Sequence, residues 1–134
     1  MEQKWSIRLI RLAAIFALFG TYLGSHMSGS GSYEYRPIHA HILLVGWLSM
    51  FAWGIFYRAF KVKSQKLVTA HGWTAILGVF GLTIGMWFYN LNPFSFSRTF
   101  TTVFFIIGGT TLLISFALFI AVTFMVNQKE EMEK

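Results

Sequence analysis

Four long stretches without a formal charge, Leu12 to Tyr33, Pro37 to Tyr57, Leu67 to Ser97 and Thr99 to Gln128, take up most of this 134-residue chain. Each reaches the roughly 20 residues that a helix needs to cross about 30 Å of hydrocarbon. A water-soluble bundle would need a solvated face on every helix. Between Leu67 and Gln128 the only charged residue is Arg98, so no such face can be drawn there and a soluble fold would expose large apolar areas. The content of 55% hydrophobic residues and the mean hydropathy of +0.57 agree. The expected fold is all-α: an integral membrane four-helix bundle forming a single transmembrane domain over 1–134, with helices near 7–27, 38–57, 67–89 and 100–126. The first helix begins like a secretory signal, with Lys4, Arg8 and Arg11 ahead of an apolar stretch and Gly and Ser after it. We read it as a retained helix, because its late polar residues, His26 among them, can face protein instead of lipid.

Orientation follows from the basic residues. Lys4, Arg8 and Arg11 precede the first helix, Arg58, Lys61, Lys63 and Lys66 fill the second link, and Lys129 and Lys134 close the sequence. Only Arg36 and Arg98 fall on the other side. The positive-inside rule then puts both termini in the cytoplasm and makes this a multi-pass protein of the cytoplasmic (inner) membrane. The net charge of +6 thereby has a topological origin that requires no nucleic acid, and the basic rim would be attracted to anionic membrane lipid.

The residue types that are missing narrow the chemistry. Without cysteine there are no thiolate metal sites, iron–sulfur centres or covalent CxxCH haem attachments. No Walker loop, GxGxxG turn, HExxH helix or GxSxG elbow occurs. There is no Asp, and every Glu lies near a terminus or in the first link, which disfavours paired-carboxylate chemistry within the membrane. Histidine is left as the strong ligand type inside the helices, and it suits haem iron, non-haem iron, copper or zinc.

His26 ends the first helix at the outer rim, and His39 and His41 begin the second at the same rim. Two apart on a regular helix, His39 and His41 point about 200° away from each other and need different jobs. His41 is the deeper and is the expected ligand, with His39 at a protein interface or as the alternative. His71, near the cytoplasmic start of the third helix, should lie on the order of 20 Å below His41. It is expected to serve a second, inner metal centre, a proton path or a bond to a neighbouring helix. A conducting bundle would need a continuous polar lining, and His71, Thr69, Thr74, Asn90, Thr110 and Ser115 are scattered. Ala13, Ala17, Gly20 and Gly24 in the first helix, and Gly72, Gly78, Gly81 and Gly85 in the third, form small-residue stripes suited to close helix packing. The fourth helix has no imidazole and is expected to be a lipid-facing support or a cavity wall.

The segment RPIHAHILLVGWLSMFAWGIFYR, ending at Arg58, resembles the HAH…GW…FYR pattern of small membrane proteins related to subunit I of haem–copper oxidases. It is also similar to the haem-bearing second helix of cbb3-type oxidases and nitric oxide reductases. The resemblance covers this helix and, loosely, AHGWTAILG at the start of the next. It implies a b-type haem near the outer face, with His39 or His41 in the ligand position and Arg36 near the propionates. Trp47 and Trp53 could pack on the porphyrin. The chain lacks the later oxidase helices with their copper histidines, so oxygen reduction on its own is not implied. The second axial ligand would come from His26, the other histidine of the pair or a second protomer, which makes a homodimer attractive. The functional expectation is a haem b protein for electron transfer or small-gas sensing. The competing expectation is an accessory or assembly subunit of a respiratory complex that binds copper or zinc transiently.

Overall fold

A computed structural model describes residues 1–127, and the four expected helices are all present. They are α1 (Glu2–Ser30), α2 (Arg36–Ala59), α3 (Gln65–Leu91) and α4 (Arg98–Phe124), of 29, 24, 27 and 27 residues, each long and apolar enough to cross a membrane. The protein is an all-α four-helix bundle. Lys129 and Lys134, part of the basic-rim argument, lie outside the described residues.

Helix ends fall where local chemistry puts them. The first helix runs on to Ser30, past the expected stop near Met27, and ends where Gly31 takes the left-handed conformation at φ 67°. That leaves only 31–35 as the link before α2. Ser64 and Ser97 cap α3 and α4, each hydroxyl accepting from an amide three residues on, Leu67 and Phe100, at 3.3 Å. The turn between them is closed by Asn92, whose side chain both accepts from Phe96 N and donates to Phe96 O at 2.8 Å.

The second helix is not regular. It is α-helical over Arg36–His41, widens to a π-helix over Ile42–Ser49 and returns to α over Met50–Ala59. Ser49 Oγ donates to Leu44 O, five residues back, at 2.9 Å, the spacing of the wider coil. π stretches of this kind often sit at functional sites, and this one starts at the residue after His41.

Small residues set the packing. Gly20 takes Leu43 of α2, Gly24 takes the His39 ring, and Gly46 of α2 takes Phe16. Between α3 and α4 the approach is closer still, backbone against backbone at Gly81 and Gly108, with Gly78 against Leu112 and Gly85 against Phe105. Without hydrophobic driving force between helices in lipid, such close contact is what associates them. Leu113 and Phe124 of α4 are 70% and 85% exposed, as a lipid-facing support requires.

Both the start of α1 and the end of α4 lie at the end of the bundle that carries the α2–α3 link. Glu2 Oε1 accepts from Val62 N at 3.1 Å and from Gln65 Nε2 at 2.6 Å. Val62 and Val126 form an antiparallel bridge, with Lys63 N donating to Met125 O and Asn127 N to Lys61 O, both at 2.9 Å. Lys4, Arg58, Lys61, Lys63 and Lys66 therefore gather at this basic end. The opposite end holds the 31–35 link and the Asn92 turn.

Candidate functional site

Three of the four histidines lie at the end opposite the basic rim, but they do different things there. His39 points across to α1, where Nδ1 donates to Gly20 O at 2.9 Å. Gly24 makes room for the ring, since a Cβ there would stand 2.8 Å from His39 Cε1. His41 turns to its own helix instead, and Nδ1 donates to Pro37 O at 2.8 Å. The opposite directions expected from their spacing hold, because the stretch Arg36–His41 is still α-helical.

His26 is exposed on α1 and takes part in an aromatic layer. Its ring stacks with Tyr22 at 6.5 Å and meets the edge of Tyr35 at 6.0 Å, and Tyr35 in turn lies 5.6 Å from Trp87 of α3. Arg36 stands over the Tyr33 ring at 4.6 Å. Among the described residues no three His, Asp or Glu side chains converge as a metal-binding group. The structure thus brings the three outer histidines to one end without bringing them to one point.

His71 and Tyr57 form a separate centre towards the basic end. The Tyr57 hydroxyl and His71 Nδ1 share a hydrogen bond of 2.7 Å between α2 and α3. His71 is fully buried, against Trp53 at 4.9 Å and Phe119 at 5.2 Å between ring centres. Among the described residues its Nε2 has no hydrogen-bond partner. Most of the length of α2 separates this pair from His41, on the order of 20 Å of helix, so the two cannot share an ion. Of the roles expected for His71, the bond to a neighbouring helix is the one observed.

Two aromatic expectations change. Trp53 belongs to the buried cluster with His71, Phe116 and Phe119 and lies far from the outer histidines. Trp47 stands on Phe51 at 4.8 Å, further along α2. The pairing of Tyr57 with His71 and the π stretch were both missed from sequence. The aromatic-basic run GIFYR reads as an interfacial belt, whereas Tyr57 is 1% exposed. No family model, curated protein or solved structure matches this chain.

Proposed function

We propose that the chain is a haem b-binding membrane protein that carries electrons or senses a small gas such as oxygen or nitric oxide, with His41 as its principal iron ligand. The observation that carries this reading is the bond from His41 Nδ1 to Pro37 O. A carbonyl only accepts, so Nδ1 bears the proton and Nε2 of the neutral ring presents a lone pair. Metal-ligating histidines are held in this way, with the second nitrogen fixing tautomer and orientation.

The ligand count favours haem over copper or zinc. A porphyrin asks the protein for one or two axial ligands, whereas a zinc site takes three or four side chains. No group of three converges among the described residues, and His41 alone meets the smaller demand. Bound haem b would supply a one-electron iron couple. Arg36, on the turn before His41, would pair its guanidinium with a propionate carboxylate. His39, tied to Gly20 O, would hold α2 against α1 and so keep His41 in place.

Because His39 is directed at α1, a second axial imidazole would come from His41 of a second copy. The stripe of α2 continuing from His41 suits such a homodimer, since Leu44, Leu48 and Ile55 are 56%, 55% and 45% exposed. Two axial imidazoles make an electron carrier, whereas one leaves an iron face open to gas. The basic end would face the cytoplasm of the cell's inner membrane, which puts the site at the outer face.

Oxidised and dithionite-reduced absorption spectra of the full chain in mild detergent, with metal analysis on the same sample, test the reading. A Soret band with sharp split reduced bands supports bis-histidine haem, and a shift on adding carbon monoxide supports the open-face sensor. A colourless protein carrying copper or zinc would replace this proposal with the accessory-subunit reading.

A further inference from the structure

The geometry points to a binding site for one acyl chain of a membrane glycerolipid, in a slot between α1 and α3 in the outer half of the bundle. A cavity of about 610 Å³ opens there. Phe16 and Phe19 of α1 form one wall, Phe80, Thr83 and Trp87 of α3 the other, and the fully buried Ile38 of α2 the floor. Its rims carry Ile15 and Ile84, 62% and 40% exposed, so it opens sideways into the hydrocarbon that surrounds a membrane bundle.

The lining selects hydrocarbon. Among the described residues it includes no charged side chain and no imidazole, and its one hydroxyl, Thr83 Oγ1, donates to Val79 O at 2.8 Å. A buried water needs two or more polar partners, an inserted peptide would leave backbone groups unpaired, and haem would find no axial ligand. The slot is also only one leaflet deep. Phe16 and Phe80, whose rings lie 5.0 Å apart, close its inner end. From Phe80 to the end of α3 at Leu91 is about 16 Å of helix, against the roughly 15 Å of half a bilayer's hydrocarbon. A helix from a second copy would run on past this stop, whereas an acyl chain hanging from an outer head group ends there. Trp87, beside Tyr35 at 5.6 Å, stands near the outer mouth at the head-group depth that indole rings favour. The site stands independently of whether His41 holds iron.

Native mass spectrometry of the detergent-purified full chain tests it, with phosphatidylcholines carrying lauroyl, palmitoyl or arachidoyl chains titrated in. Retention should saturate at one lipid per chain. Ile84→Trp, which fills the slot from its exposed rim, should weaken retention about tenfold. Leu77→Trp places a tryptophan about two turns further in on α3, at a residue 59% exposed and outside the lining, and should leave retention within about twofold. Phe80→Ala opens the closed end, so arachidoyl chains should gain over lauroyl chains relative to the unmodified protein. Equal loss in the two tryptophan variants, retention that rises without saturating, or a chain-length preference unmoved by Phe80→Ala would overturn the proposal, because each would mean general solvation by lipid. A dimer that holds no lipid and that Ile84→Trp dissociates would also overturn it, and would give the slot to a second copy.

Discussion

The two ends of the bundle carry histidine chemistry of different kinds. Towards the 31–35 link, His39 and His41 are half-buried and each spends Nδ1 on a backbone carbonyl, which leaves Nε2 with a lone pair. Towards the basic end, His71 is fully buried and bonded to a side chain, with aromatic rings around it. A backbone partner fixes an imidazole without consuming its ligating nitrogen. A carbonyl only accepts and so fixes the tautomer, whereas the Tyr57 hydroxyl can donate to or accept from His71 Nδ1 and leaves the tautomer open while it ties α2 to α3. Under the proposed function the same residue type serves ligation at one end and cohesion at the other, and variants should separate these roles.

The largest loss of stability is expected at the buried end. His71→Ala would leave a cavity among Trp53 and Phe119 and strip the Tyr57 hydroxyl of its partner, costing about 3 kcal/mol, read as a lowered thermal unfolding midpoint in mild detergent. Next comes the α1–α2 seam. Gly24→Ala drives a methyl group against the His39 ring and should cost about 2 kcal/mol. Combining it with His39→Ala should recover part of that loss, because the ring that clashes is gone. A double variant no better than Gly24→Ala alone would mean that the cost comes from the helix backbone.

Tyr57→Phe should cost about 1 kcal/mol, the scale of one interhelical bond within a membrane. The smallest effect is expected for His41→Ala, within about 0.5 kcal/mol of the unmodified chain, since the half-exposed ring bonds only to its own helix. A drop in midpoint as large as that of His71→Ala would give His41 a structural role and remove the contrast between the two ends.

Much of this architecture is legible in the residues. The four helices follow from uncharged length, and the small-residue stripes name the close contacts, Gly20 and Gly24 of α1 against α2 and Gly78, Gly81 and Gly85 of α3 against α4. The divergence of His39 and His41 follows from helical spacing. What stays hidden depends on how helices are rotated against one another. Tyr57 meets His71 only because α2 and α3 present those faces at the same depth, and no local pattern records that. The π stretch over Ile42–Ser49 is equally silent, since ILLVGWLS has no residue that demands a wider coil. Trp53 lies in the same apolar run as His41 and Trp47, yet the length of α2 carries it into the other cluster.

Haem content, unlike stability, should rank the histidines in the reverse order, and the Soret absorbance per chain of His41→Ala beside His71→Ala tests the central claim most directly. The account predicts loss of the band in the first and its retention in whatever fraction of the second remains folded. A native spectrum in His41→Ala together with loss in folded His71→Ala would contradict it, and would place the iron at the buried end.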